Sequence, residues 1–149
     1  MVHRGSQRAP GMTSGLLFIL SLSLLACSLS PDASSGDDRF RHLAKPVPFG
    51  AWDIDEISYA GSDQTDWKKV EVPDDGELRM ELQCKEPDAT ILLALYDMYG
   101  RQIDKVQKIP GDPRPLVVTQ TVSAGRHFVM LQALSDDDET GYSFKVSFE

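Results

Sequence analysis

The sequence predicts an all-β domain, a single antiparallel β-sandwich, over residues 48–149 of the chain. Two observations carry this prediction. Apolar and polar residues alternate along short segments, as they do in strands with one buried face. Turn signals rich in Gly, Pro and Asp separate these segments at the spacing typical of a sandwich, and no helical period runs through them. A length of roughly 100 residues is ordinary for such a domain.

Seven strands are predicted, and the second shows the pattern most clearly. In that strand Leu78, Met80, Leu82 and Cys84 point to one face and polar residues to the other. A turn at 97–100, in which Gly100 supplies a positive φ, joins the third strand to the fourth. In order, the strands are WKKVEV, ELRMELQC, TILLALYD, RQIDKV, PLVVTQTV, SAGRHFVMLQAL and GYSFKVSFE.

A family resemblance supports the same fold. The segments DQTDWKKVEVPDDGELRMEL, DATILLALYDMYGRQI, VSAGRHFVML and GYSFKVSF occur in the order found in the bacterial pre-peptidase C-terminal domain, which they resemble. The resemblance covers residues 60–149 and departs from the family at Lys68 and at 126–128. It implies a compact, jelly-roll-like sandwich that accompanies secreted peptidases and other exported proteins. Some members of this domain family bind calcium.

The N-terminus predicts a lipoprotein signal peptide over residues 1–26. Arg4 and Arg8 precede an uncharged apolar run at 15–26, which is too short to span a bilayer comfortably. The tetrapeptide ending at Cys27 (LLAC) resembles the lipobox of bacterial lipoproteins, which implies a covalent lipid on Cys27 and a cell-envelope location. Ser28 after the cysteine resembles the outer-membrane sorting pattern. The alternative is an ordinary signal peptide with a chance cysteine.

Residues 27–47 are predicted to be the lipidated cysteine and a flexible tether, because Ser, Asp, Pro and Gly dominate and few large apolar residues occur. The whole chain carries a formal net charge of −8, and removal of the leader takes two arginines away. Nucleic acid is therefore an unfavourable partner. Direct adhesion to anionic lipid is also disfavoured, apart from the acyl anchor.

Candidate protein-binding residues lie on the outer faces of two predicted strands. Leu92 and Tyr96 alternate with inward residues of one strand, and Phe128 and Met130 do so in another. If these faces are neighbours in one sheet, they form an exposed apolar patch that indicates a partner. The favoured alternative is a cover supplied by Phe49, Trp52, Ile54 and Ile57. A second contact candidate is the hairpin tip, with Met98 and Tyr99.

Two acidic loops are weak candidates for calcium, which prefers oxygen ligands. One contains Asp136, Asp137 and Asp138, and the other contains Asp63 and Asp66. Solvated loops are the simpler interpretation, with a structural role for Asp66 in its turn. No other cofactor is expected.

No catalytic constellation stands out. Cys84 and His127 would form a catalytic thiolate–imidazole dyad if they met, but a packed histidine and a small buried thiol are the favoured interpretation. The leading hypothesis is therefore a non-enzymatic scaffold of an envelope complex for secretion, pilus or surface-protein assembly. The alternatives are a calcium-assisted module that binds glycan or matrix protein, and a small hydrolase.

Overall fold

Two β-sheets pack face to face in the computed structural model, which describes residues 36–149. One sheet, here called sheet A, has the strand order β1-β3-β8-β5-β6, and sheet B has the order β2-β9-β4-β7. All pairings are antiparallel except that of β1 with β3. The strands are β1 Lys45–Pro46, β2 Trp52–Ser58, β3 Thr65–Val72, β4 Gly76–Cys84, β5 Ile91–Asp97, β6 Gln102–Gln107, β7 Leu116–Val122, β8 Gly125–Ala133 and β9 Glu139–Phe148.

The topology is that of a jelly roll. Apart from β1, eight strands form two four-stranded sheets, and most successive strands cross from one sheet to the other. The hairpin β5–β6 is the exception, and Gly100 in its turn has a φ of +87° as predicted. The predicted antiparallel β-sandwich is confirmed. All seven predicted strands are present as β3 to β9, and the structure adds β1 and β2.

The inward faces supply the core, as alternation requires. Leu78, Met80 and Leu82 of β4 are buried, and Leu93 and Leu95 of β5 lie in the same apolar cluster. The outward residues of β4 are polar, whereas β5 of sheet A is apolar on both faces. The second apolar face of β5 therefore lies outside the core between the sheets.

Residues 36–47, here called the N-terminal strap, pack against sheet A. The strap includes a short 3-10 helix, Arg41–Leu43, and ends in β1. The Trp67 amide donates to the Asp38 carbonyl over 2.9 Å, and the Val47 amide donates to the Lys69 carbonyl over 2.9 Å. The predicted domain start at residue 48 is therefore corrected to a position before Asp38. The composition of the strap suggested a tether because only two small apolar residues, Ala44 and Val47, are buried in it and its other anchors are polar.

The signal peptide, Cys27 and residues 28–35 of the predicted tether lie outside the described residues. Within residues 36–149, no helix has the length and apolar character needed to cross a membrane.

Candidate binding surface

The outer face of sheet A carries a contiguous set of apolar side chains. The antiparallel register places Ala94 of β5 opposite Met130 of β8, and Tyr96 opposite Phe128. On the far side of β8, Met130 lies opposite Trp67 of β3. The Trp67 and Tyr96 rings approach to 5.3 Å between centroids. We call this set the outer-face patch: Trp67, Leu92, Ala94, Tyr96, Phe128 and Met130.

The predicted cover of this patch is wrong. Ile57 lies in the core between the sheets, fully buried. Trp52 and Ile54 lie on the outer face of sheet B, because β2 pairs with β9 rather than crossing sheet A. Phe49 contacts Phe148, the last residue of β9, with ring centroids 5.7 Å apart. The outer faces of β5 and β8 are instead neighbours in one sheet.

The members of the patch differ in accessibility, which corrects one predicted contact. Leu92 is only 6% exposed and Ala94 is fully buried, so these two form the floor of the surface. The prediction of Leu92 as a contact residue is therefore wrong, because its side chain is buried. Trp67, Tyr96, Phe128 and Met130 are half-buried, so part of each remains accessible.

The strap and the β5–β6 turn meet beside the patch. The Arg41 guanidinium carbon lies 5.4 Å from the centre of the Phe128 ring. A Cβ at position 100 would lie 2.1 Å from Arg41 Nη1, so the arginine also packs on the turn at Gly100. The predicted tip residues Met98 and Tyr99 are 52% and 84% exposed. The hairpin tip therefore adjoins the outer-face patch through Arg41.

The sequence pattern did not predict a role for Phe40 and Leu43, two exposed apolar residues of the strap. They flank Arg41 and His42 in the chain, and the Phe40 ring stacks on His42 with centroids 5.6 Å apart. They lie in a segment that was predicted to be a tether, because an isolated aromatic residue in a polar segment gives no periodic signal.

A buried ionic cluster lies behind the strap, on the inner side of β3. The Lys68 side chain is 0% exposed, although lysine is rarely buried without partners. Its Nζ lies 3.0 Å from Asp38 Oδ2, 3.0 Å from Asp53 Oδ2 and 2.9 Å from Asp55 Oδ2. Burial alone would lower the pKa of Lys68, but its hydrogen bonds to these carboxylates outweigh burial and raise that pKa.

Lys45 completes the strap side of this cluster. Its Nζ donates to Asp55 Oδ2 over 3.2 Å and lies 3.4 Å from Asp38 Oδ1. Burial disfavours the Asp55 carboxylate, but the hydrogen bonds and positive charge of Lys68 and Lys45, together with the Glu56 amide, outweigh burial and lower the pKa of Asp55. The ammonium groups of Lys45 and Lys68 thus hold the strap, β2 and β3 together. The sequence signal was Lys68 itself, which shares the inward parity of Val70 and Val72.

Asp66, two residues before Lys68 on the same face, accepts a hydrogen bond from the Tyr142 hydroxyl over 2.5 Å. It is 1% exposed. Burial is the largest of the effects that raise the pKa of Asp66 to about 7. Nearby Asp38 acts in the same direction, and the Tyr142 hydrogen bond acts against both. This carboxyl therefore titrates near neutral pH. The predicted structural role for Asp66 agrees with this placement.

Three carboxylates of the cluster have the spacing of cation ligands. Asp38, Asp55 and Asp66 each place an oxygen within 4.8 Å of the others. The Lys68 ammonium donates to two of them, Asp38 and Asp55, and so supplies positive charge from within the chain. Of the predicted metal ligands only Asp66 belongs here, while Asp63 accepts a hydrogen bond from the Gly36 amide.

The second acidic loop is organised by Asp138, which is 4% exposed. Its Oδ1 accepts from the Thr90 amide over 2.7 Å, and its Oδ2 accepts from the Leu134 and Ser135 amides over 3.0 and 2.7 Å. These bonds place Asp138 in a structural role within its loop.

Asp136 and Asp137 are exposed. Asp137 and Asp138 line a cleft of about 480 Å³ together with Glu86, Asp88 and Glu139. The structure thus gathers part of the predicted acidic set, and it adds carboxylates from the β4–β5 connection.

Cys84 and His127 do not meet. Gly76, at the start of β4, pairs with Val122, which lies close to His127. Cys84 lies at the other end of β4, eight residues and roughly 25 Å from Gly76. Burial raises the pKa of the Cys84 thiol to about 11, which disfavours the thiolate. His127 Nδ1 lies 3.2 Å from the Gly125 carbonyl oxygen. The hypothesis of a Cys84–His127 dyad is therefore wrong.

Comparison with known proteins supports the fold. No protein-family model matches the sequence, and no curated protein matches it. Among solved structures, the chain is similar to the pre-peptidase C-terminal domain of collagenase from Bacillus anthracis, with a TM-score of 0.58 and 12% identity over 70% of this chain and 94% of that one. It is also similar to PliG, a periplasmic inhibitor of g-type lysozyme from Aeromonas hydrophila, with a TM-score of 0.46 and 11% identity over 71% and 96%.

At these identities the likeness concerns the fold alone. The chain therefore has a β-sandwich like that of a pre-peptidase C-terminal domain, as the sequence motifs implied. The fold does not determine the function, which depends on the residues of the candidate binding surface.

Proposed function

We propose that this protein is a non-catalytic binding module that is anchored in the cell envelope by a lipid on Cys27 and docks onto a partner protein through the outer-face patch. Its place is in an envelope complex for secretion, pilus or surface-protein assembly. The observation that carries the proposal is the run of four partly accessible large apolar side chains on one sheet face: Trp67, Tyr96, Phe128 and Met130.

The shape and chemistry of this face suit protein binding. Aromatic side chains with few rotatable bonds give large contact areas at low entropic cost, and they dominate the energetics of interfaces. Trp67 and Tyr96 already restrain each other, with ring centroids 5.3 Å apart. The buried Leu92 and Ala94 beneath them make the floor rigid. Such a preorganised surface loses less freedom on binding than a loop does.

The strap bears on the proposed anchor. With Gly36 already bonded to Asp63, only residues 28–35 separate Cys27 from the folded domain. A segment of that length spans at most about 30 Å. The proposed lipid would therefore keep the domain close to the membrane surface, where a partner in the envelope is reached at high local concentration. Incorporation of labelled palmitate into wild-type protein but not into Cys27→Ala tests the anchor by itself.

The docking proposal is tested by affinity capture of the full chain from detergent-solubilised cells after mild crosslinking. Tyr96→Ser and Phe128→Ser should each abolish capture of the partner that the wild type retains. Val117→Ser is the matched control, because Val117 is an exposed apolar residue on the outer face of sheet B. Melting temperatures of all variants establish that folding is intact. Capture that survives both patch substitutions would rule out docking through this face.

A second candidate function, calcium-assisted binding of glycan or matrix protein, is favoured by the acidic cleft between the β4–β5 and β8–β9 connections. Glu86, Asp88, Asp137 and Glu139 line it, and calcium takes six to eight oxygen ligands. If this function is correct, calcium should raise the melting temperature of the protein, and Asp137→Asn should remove that increase. A melting temperature that does not respond to calcium would eliminate it.

A further inference from the structure

The charge around the outer-face patch has the opposite sign to the charge of the chain. Lys69 of β3 lies opposite Phe128, and Lys105 of β6 lies opposite Ala94, so both lysines share the face of the patch. Arg41 lies over the Phe128 ring. The chain as a whole has 23 acidic against 15 basic residues and a net charge of −8. The patch is therefore an apolar centre with a basic rim on an acidic protein.

The negative charge on the strands of this face is already paired. Glu71 Oε1 accepts from Arg126 Nε over 2.6 Å, so these two side chains neutralise each other. The other outward polar residues of β5, β6 and β8 are glutamines, namely Gln102, Gln107 and Gln132. Lys69, Lys105 and Arg41 thus leave the face with a net positive charge.

Sheet B shows the opposite arrangement. Glu56, Glu77 and Glu81 lie on its outer face, where Arg79 and Lys145 both contact Glu81. The positive rim is therefore a property of the patch side rather than of the sandwich surface in general.

We infer that the partner surface presents apolar side chains flanked by carboxylates, as an acidic protein segment or peptide does. This inference rests on the proposed function and specifies the chemistry of the partner. Complementary rim charges steer the encounter and reject wrong partners, while the buried apolar centre supplies most of the binding energy. Lysines around an apolar patch repel a basic partner and leave a neutral one without steering.

A protein partner fits these observations better than an anionic bilayer does. Surface charges are screened beyond about 8 Å at physiological salt, so a short acidic segment placed on the patch meets mainly Arg41, Lys69 and Lys105. A bilayer extends past the patch and meets the acidic remainder of the chain. A second copy of this face is also unsuited, because a two-fold pairing sets one basic rim against another.

The test uses the full chain in detergent to select binders from a display library of random 12-residue peptides. Selected peptides should combine aromatic or aliphatic residues with Asp or Glu, and their binding should weaken when salt is raised from 50 to 500 mM. Lys69→Glu and Lys105→Glu should each weaken binding of a selected peptide at least fivefold. Lys85→Glu, which changes an exposed lysine at the end of sheet B, should leave it unchanged.

Other results separate failure of this inference from failure of the proposed function. Neutral or basic peptides, or indifference to both charge reversals, overturn the acidic partner but leave docking standing if Phe128→Ser still abolishes binding. If Phe128→Ser has no effect, both fail. Two further results overturn the inference: binding of the Cys27→Ala chain to phosphatidylglycerol vesicles that requires Phe128, or a dimer in sedimentation that Phe128→Ser dissociates.

Discussion

Lys68 Nζ and Asp38 Oδ2 lie 3.0 Å apart, and their side chains are 0% and 1% exposed. The lysine belongs to β3 and the aspartate to the strap, 30 residues earlier. This buried ion pair therefore fastens the strap to the sandwich. It also holds in place the segment from which Arg41 reaches the outer-face patch.

Removing either partner should destabilise the domain, and removing Lys68 should do so more severely. Lys68→Met leaves Asp38, Asp53 and Asp55 without the ammonium that they share. Asp38→Asn removes one carboxylate and keeps the shape. Lys68→Met should lower the free energy of unfolding by about 3 to 5 kcal/mol, because breaking a buried pair leaves an uncompensated charge. Asp38→Asn should cost less, because Lys68 keeps Asp53 and Asp55 as partners. Urea unfolding measures the effect.

The matched control is Lys69→Met, one residue further along β3 with its side chain on the outer face. It should change stability by about 0.5 kcal/mol or less. If Lys68→Met does not fold, Asp53→Asn provides a milder test, because Asp53 is 31% exposed. A Lys68→Met protein as stable as the Lys69→Met protein would show that the ion pair does not fasten the strap.

Asp66 should make stability fall as pH rises through the neutral range. Its pKa is raised from 3.8 to about 7, mainly by burial. Asp38 and Asp63 also raise this pKa, whereas Tyr142 and Lys68 lower it. Between about pH 4 and pH 7 the folded protein holds a proton that the unfolded chain has lost. Stability from this group is therefore complete below about pH 4 and is lost as pH rises through 7.

Unfolding of the wild type and of Asp66→Asn at pH 5 and pH 8 measures this dependence. The asparagine keeps an acceptor for the Tyr142 hydroxyl but does not titrate, so its free energy of unfolding should fall less between the two pH values. The lowered pKa of Asp55 acts below this window and does not interfere. Equal pH slopes in the two proteins would contradict a raised pKa at Asp66.

Asp138 should matter for stability far more than its neighbour Asp137. Asp138→Asn replaces one accepting oxygen by a donor and so removes hydrogen bonds from the amides of Thr90, Leu134 or Ser135. A loss of about 2 to 4 kcal/mol in the free energy of unfolding is expected, because hydrogen bonds to charged groups contribute about 1.5 to 3 each. Asp137→Asn, at an exposed position, should cost about 0.5 kcal/mol or less. Similar costs for both would refute the structural role of Asp138.

Gly100→Ala should affect both the hairpin turn and Arg41. Position 100 has a φ of +87°, which costs alanine about 1 to 2 kcal/mol, and the new Cβ would collide with Arg41 Nη1. Gly125→Ala is the control for backbone strain alone, because φ is +120° there and no atom lies within 4 Å of a Cβ. The cost of Gly100→Ala should shrink in an Arg41→Ala background. An unchanged cost would mean that the arginine does not pack on this turn.

The Cys84 thiol should react slowly in the folded protein. With its pKa raised to about 11 by burial, little thiolate exists at pH 8. Iodoacetamide labelling followed by mass spectrometry should therefore be at least tenfold faster in urea than in buffer. Comparable rates in the two conditions would show that the thiol is accessible and activated.

The sequence determined the strands and their faces. Alternation at Leu78, Met80 and Leu82 and the turn at Gly100 report local geometry, which depends on neighbouring residues alone. The same alternation revealed that Tyr96 and Phe128 point away from the core. These predictions needed no knowledge of which strands pair.

Only the tertiary structure decided what those faces meet. Whether Trp52 and Ile54 cover Tyr96 depends on the pairing of β2 with β9, a contact between segments almost 90 residues apart. Local pattern carries no information about such a choice, because either sheet accepts an edge strand of the same periodicity.

The strap shows the same limit in electrostatic form. Residues 36–47 have the composition of a tether, yet Asp38 within them bonds to the buried Lys68. A charge pair of this kind leaves no period in the sequence, since its two members come from distant segments and bond only when the sheets have formed. The sequence thus determined the sandwich and its two-faced strands, whereas the buried ionic cluster and the open outer-face patch follow from how the strands assemble.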